Sequence, residues 1–221
     1  GRSPPRSRRR RAARAPGEAE APYGDDRLIV LGASWGGLHA VSTILAALPA
    51  ACRAPVVVVQ HRARTGDGLL PGLLQATTRR PVADVEDKEP IVPGAVHVAP
   101  ADYHLLVEDG HFSLSTDPVV RYSRPSIDVT LSTAADALGP RVIGVVLTGA
   151  NDDGARGLRR VVALGGVGVV QDPATAEVRT MPEAALRALG GEPPARWEVA
   201  ALDDVARAVS ARARRPVGGA A

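Results

Sequence analysis

The sequence predicts an α/β fold: a mostly parallel, doubly wound sheet with helices on both faces and an inserted antiparallel hairpin region. Three observations predict it. Short continuous apolar runs rich in β-branched residues recur along the chain, as in strands covered on both faces. Segments of helical periodicity, closed by Pro or Gly, separate them. One central stretch instead alternates polar and apolar residues around an Asp-Gly turn. The domain is expected over residues 25–212, with an arginine-rich disordered tail over 1–24 and a frayed tail over 213–221.

The first strand is expected at "RLIVL" (27–31), and a helix at Leu38–Leu48 closed by Pro49. "PVVVVQ" (55–60) is the second strand, followed by a helical pattern over Gly68–Thr77. The stretch 94–115, "GAVHVAPADYHLLVEDGHFSLS", alternates around Asp109-Gly110 and predicts antiparallel hairpins. A helix follows at Ile127–Leu138, closed by Gly139-Pro140, then a strand at "VIGVVLT" (142–148). The pattern repeats with a helix at Ala155–Leu164 and a strand at "GVGVVQ" (166–171). Helices at Glu183–Leu189 and Val205–Arg212 complete the domain, with Asp203 or Asp204 expected to cap the last one and Pro182 to open the one before it.

Composition narrows the function. With 45% apolar but only 3% aromatic residues in 221, the core must be built from Val, Leu, Ile and Ala. No apolar stretch approaches the roughly 20 residues of a membrane span. The single cysteine, Cys52, excludes an internal disulfide framework and suits a reducing, cytoplasmic compartment. The net charge of +3 comes from the tail, where a block of arginines precedes the first acid, Glu18. No apolar segment follows those arginines, as a secretory signal would need. The tail is expected to be solvated, with contact to nucleic acid or an acidic partner as the alternative. The domain itself is near neutral, which argues against nucleic acid as its partner.

In an open parallel sheet, chemistry gathers beyond the carboxyl ends of the strands. Three polar groups stand there. Ser34 follows the first run within Gly32-Ala33-Ser34-Trp35-Gly36-Gly37, His61 follows the second, and Asp152-Asp153 follow "VIGVVLT". A serine, a histidine and an acid are the parts of a hydrolytic triad. Gly32-x-Ser34-x-Gly36 also fits a nucleophile elbow, where a sharp strand-to-helix turn needs small flanking residues. Each residue has a structural alternative: Ser34 as a helix cap, His61 as a buried hydrogen-bonding group, Asp152 or Asp153 as the cap of the next helix. Asp172, at the end of "GVGVVQ", is a rival acid. A phosphate-binding turn fits poorly, because the second strand ends in Gln60-His61 rather than an acid and no Gly-Lys-Ser/Thr occurs. His39, His61, His97, His104 and His111 lack metal-ligand spacing, although His97 and His104 could share a hairpin. No cofactor and no metal are expected.

Six blocks occur in the order of one family: "LGASWGGLHA", "VVVVQHR", "PGAVHVAPADYHLLVEDG", "SRPSIDVTLSTAADALG", "GVVLTGANDDGARGL" and "QDPATAEVRTMPEAAL". Over about residues 26–210 the chain resembles the catalytic domain of the chemotaxis protein-glutamate methylesterases (CheB-type). The resemblance implies Ser34 as nucleophile, His61 as base and Asp153, rather than Asp152, as the orienting acid. It implies hydrolysis of glutamate methyl esters on the cytoplasmic helices of bacterial chemoreceptors, with methanol released, and in some members deamidation of receptor glutamines. A carboxylesterase of the same fold with another substrate is the alternative.

The oxyanion site and wall are expected at Trp35, Gly36, Gly37, Gly149 and Ala150. The substrate cleft is expected at Arg124, Ser126, Asp128 and Met181, with Ser126 as a helix cap the competing role. Departures from the family pattern fall at Trp35, where Thr is usual, at Ala150, where Met is usual, and at Thr180, where Gly is usual. The resemblance covers no receiver domain, so a stand-alone esterase domain is expected.

Overall fold

The computed structural model describes residues 27–63, 68–192 and 194–214. The tail expected over 1–24 and residues 215–221 of the tail expected over 213–221 lie outside the described residues, whereas Ala213 still belongs to the last helix. The chain begins with β1 (Leu28–Ala33), α1 (Gly37–Ala47), β2 (Val56–Gln60) and α2 (Leu70–Gln75). β3 (Val82–Asp84), β4 (Val96–Val98), β5 (His104–Val107) and β6 (Phe112–Ser115) follow. Then come α3 (Ile127–Leu138), β7 (Val142–Val146), α4 (Ala155–Ala163) and β8 (Val167–Gln171). α5 (Thr180–Leu189), β9 (Trp197–Ala200) and α6 (Leu202–Ala213) end the described chain.

Seven strands form one parallel sheet in the order β3-β4-β2-β1-β7-β8-β9. The continuous apolar runs are explained by burial on both faces. Along β1, Leu28 and Val30 join the core under α3, α4 and α5, with Ile127, Leu131, Leu158 and Val161. Their neighbours Ile29 and Leu31 join the opposite core, with Val41, Ile44 and Val209 of α1 and α6. A side-chain period of two thus sends alternate residues into two cores, and both must be apolar.

Three expectations are corrected. Residues 96–98 are not part of an antiparallel hairpin: β4 pairs in parallel with β2 and β3, and only β5 and β6 pair antiparallel. The Asp109-Gly110 turn does join β5 to β6, with Gly110 at φ 85. α6 starts from Ala201 as cap, with Asp203 and Asp204 in its first turn, where their charge suits the helix dipole. α5 opens at Thr180, so Pro182 is its third residue, still in the turn where a missing N–H costs nothing.

From β1 the chain moves outward to β2, β4 and β3, then returns to the other side of β1 as β7. The direction of winding therefore reverses between β1 and β7. That reversal opens a crevice at the carboxyl edge of the sheet, bordered by the segments that follow β1, β2 and β7.

Candidate active site

Ser34, His61 and Asp153 all lie at this edge. In the β1–β2 register Ala33 stands beside Gln60, and the His61 N–H donates to the Ala33 carbonyl at 3.0 Å. Ser34 and His61 therefore leave neighbouring strands side by side. On the other flank the Ser34 N–H donates to Thr148 O at 3.0 Å, tying the turn to the end of β7. Ser34 is partly exposed and its Oγ has no hydrogen-bond partner among the described residues.

The turn after Ser34 is built for this place. Gly36 has φ 76, a left-handed conformation that suits a residue without Cβ, and the Cβ of Glu177 would lie 2.8 Å from any side chain there. The Gly37 N–H closes the turn on Ser34 O at 2.9 Å, and the Gly149 N–H donates to Val178 O at 3.0 Å. Both are thus spent on backbone carbonyls, which corrects their expected part as oxyanion donors. The N–H groups of Trp35, Gly36 and Ala150 make no hydrogen bond among the described residues, so these three of the expected set retain this capacity. Gly149 does form a wall. A methyl group on it would collide with Met181 Sδ and approach Ser34 Cβ to 2.9 Å. Ala150 is exposed beside it.

His61 is held by its acid. Its Nε2 lies 2.7 Å from Asp153 Oδ2, with the carboxylate wholly buried. Burial pushes the Asp153 carboxyl up. Outweighing burial are the hydrogen bond from His61, the Asp128 N–H, the charge of His61 and the Ile127 N–H, so Asp153 sits below its ordinary value. An ionised carboxylate can only accept, so Nε2 carries the ring proton, and in the neutral imidazole the lone pair is on Nδ1. The rival Asp172 is engaged elsewhere, accepting the Ala174 N–H at 2.9 Å.

The anchoring of Asp153 involves two helices that cap each other. Asp153 precedes α4, yet it accepts the N–H groups of Ile127 at 2.7 Å and Asp128 at 2.9 Å, both at the start of α3. Asp128, in the first turn of α3, accepts the N–H groups of Gly154 at 2.9 Å and Gly157 at 2.8 Å at the start of α4. Each carboxylate satisfies the orphan donors of the other's helix and meets its positive end. Ser126 donates from Oγ to Asp153 Oδ1 at 2.9 Å and caps α3.

This corrects the expected cleft. Ser126 and Asp128 are buried supports of the acid, not cleft walls. Met181 is fully buried against Gly149. Arg124 is committed to Asp102 at 2.7 Å and to the carbonyls of Thr116 and Asp117. Trp35 is 66% exposed and donates from Nε1 to Glu177 Oε1 at 2.9 Å, at the mouth of the site.

Three supporting residues escaped the sequence reading. Gln60 donates from Nε2 to the carbonyls of Ser34, at 2.8 Å, and His61, at 3.0 Å, clamping the two turns together. Thr148 donates from Oγ1 to Trp35 O at 2.9 Å. Buried His104 accepts the Ser126 N–H on Nδ1 at 3.2 Å, steadying the start of α3. The signal available was a polar residue ending an apolar run at Gln60 and Thr148, and opening one at His104.

The CheB methylesterase family model matches residues 29–208. A Leptospira interrogans protein assigned as protein-glutamate methylesterase/protein-glutamine glutaminase is 47% identical over 161 residues, covering 72% of this chain and 83% of that protein. The protein-glutamate methylesterase FrzG of Myxococcus xanthus is 40% identical over 163 residues, 72% of this chain and 48% of FrzG, so the chain spans about half of that relative. The crystal structure of the Thermotoga maritima CheB methylesterase catalytic domain superposes with a TM-score of 0.77 at 30% identity, covering 84% of this chain and 98% of that domain. No helix among the described residues is long and apolar enough to cross a membrane.

Proposed function

Because the chain belongs to the CheB methylesterase family, we propose that it hydrolyses glutamate methyl esters on the cytoplasmic helices of bacterial chemoreceptors, releasing methanol. The observation that carries this is the buried 2.7 Å contact of His61 with Asp153, on the strand end next to that of Ser34.

Ser34 Oγ attacks the ester carbonyl while His61 Nδ1 takes its proton. The tetrahedral oxyanion is met by the N–H groups of Trp35 and Gly36, donors of a kind worth roughly 3–4 kcal/mol each in comparable sites. Asp153 holds the ring and stabilises the imidazolium. His61 then protonates the departing methoxide, leaving the glutamyl acyl on Ser34. Water attacks this acyl-enzyme with His61 again as base, and the glutamate carboxylate leaves as Ser34 recovers its proton. A glutamine side chain enters the same steps with ammonia as leaving group, which accounts for a glutaminase activity alongside the esterase.

The test is methanol release from a methylated chemoreceptor fragment by wild-type and Ser34→Ala protein. Release by the wild type alone supports the reading. Equal release by both removes Ser34 as nucleophile. Hydrolysis of small activated esters with none of the receptor fragment would favour the alternative, a carboxylesterase of another substrate class.

A further inference from the structure

We infer that Tyr122 is a contact for the protein substrate, presented at the rim of the active site by a strained and firmly anchored turn. This rests on the methylesterase reading of the site. The loop between β6 and α3 reverses at Val120–Ser123, where each end residue's N–H donates to the other's carbonyl, at 3.1 and 2.9 Å. Both central residues have positive φ, 49 at Arg121 and 64 at Tyr122. That is the pattern of a type I′ turn, a place for Asn-Gly. Two ordinary side chains there cost roughly 1–2 kcal/mol apiece.

The loop nevertheless does not lack anchors. Arg121 pairs with Asp152, the residue before the acid, and its Nε lies 3.8 Å from Asp128 Oδ2. Arg124 ties the loop to Asp102 and to the carbonyls of Thr116 and Asp117. His104 Nε2 meets Pro118 O at 3.1 Å. All this fixes the backbone beneath a ring that is 100% exposed and packs on nothing among the described residues.

An aromatic ring on fixed backbone has little freedom left to lose on binding, which is how side chains that dominate an interface are built. Its place identifies the partner. The turn is joined through Arg121 to Asp152, and so to Asp153 and His61. A receptor helix about 10–12 Å across, with its esterified side chain at Ser34, reaches the segments beside the triad, of which this turn, tied to Asp152, is one. The Arg121 charge is matched by Asp152, so the contact offered is the ring's apolar face.

The test compares wild type, Tyr122→Gly and Tyr122→Phe on a methylated receptor fragment and on p-nitrophenyl acetate. Glycine suits φ 64 and the side chain is fully exposed, so Tyr122→Gly should melt no lower than wild type. The expected result is a KM for the receptor fragment raised about tenfold. Its kcat and the small-ester rate should stay within about twofold, and Tyr122→Phe should behave as wild type. A wild type active on the fragment with Tyr122→Gly indistinguishable from it overturns this inference alone. Equal loss on both substrates also overturns it, as does a dimer that Tyr122→Gly converts to monomer, since the ring would then serve the triad or a second copy. A wild type that releases no methanol from the fragment defeats the inference together with the functional reading.

Discussion

Asp153 and Ser34 stand at the same edge of the sheet but are held in opposite ways. Asp153 is wholly buried and accepts hydrogen bonds from His61, Ser126 and the backbone of Ile127, Asp128 and Gly154. Ser34 has a fixed backbone, through Thr148, Gly37 and Gln60, but a free hydroxyl. The difference follows from their tasks. A group that orients a base must not move, so its energy goes into fixed donors. A nucleophile must approach a carbon and accept a covalent bond, so only its backbone is fixed. Stability and activity should therefore separate between the two positions.

The largest expected effect is on turnover. Ser34→Ala should lower kcat by more than about 10⁴-fold while leaving unfolding free energy within about 0.5 kcal/mol, measured by methanol release and urea denaturation. Asp153→Asn should lose about 10³–10⁴-fold in kcat and also about 2–4 kcal/mol of stability, since an amide donor would face N–H groups. An Asp153→Asn protein as stable as Ser34→Ala would break the contrast.

Asp153 also sets a pH dependence. Its folded value lies below the ordinary 3.8, so its contribution is complete well above 3.8 and is lost as pH falls through the depressed folded value. Urea midpoints at successively lower pH should show this acid limb in wild type and lack it in Asp153→Asn. Next in size is Gly149→Ala. The added methyl meets Met181 and Ser34 and should cost about 1–3 kcal/mol, with kcat reduced because Ser34 is displaced.

The smallest effect concerns His97, far from the triad. Burial holds its imidazole below 6.5, against the opposing pull of Glu89 and a backbone hydrogen bond at Val92. On acidification the unfolded chain takes up this proton first, so the stabilisation is full above about 6.5 and declines below it. His97→Gln should flatten the change in urea midpoint between pH 7 and pH 5.

Much of this contrast was legible along the chain, and the limits are physical. β1, β2, β7 and β8 announced themselves because burial on both faces forces unbroken apolar runs. The residues beyond them marked the site because a parallel sheet aligns those ends. β3 and β9 are short edge strands, "VAD" and "WEVA", whose pairing depends on neighbours rather than on pattern. β4 alternates like a hairpin because His97 breaks its apolar run. The support of Asp153 was hidden for another reason: Ser126 and Asp128 lie some 25 residues away, and only the packing of α3 on α4 brings them to it. Residues around Arg124-Pro125-Ser126 therefore looked like a cleft when Ser126 and Asp128 are its foundation.

Covalent capture tests the catalytic assignment most directly. A fluorophosphonate should lose fluoride to an activated serine and leave one phosphonyl group per chain, located by peptide mass at Ser34 and absent from His61→Gln protein. A label on another residue, or equal labelling of Ser34 without the imidazole, would contradict an assembly in which His61, held by Asp153, makes Ser34 the nucleophile.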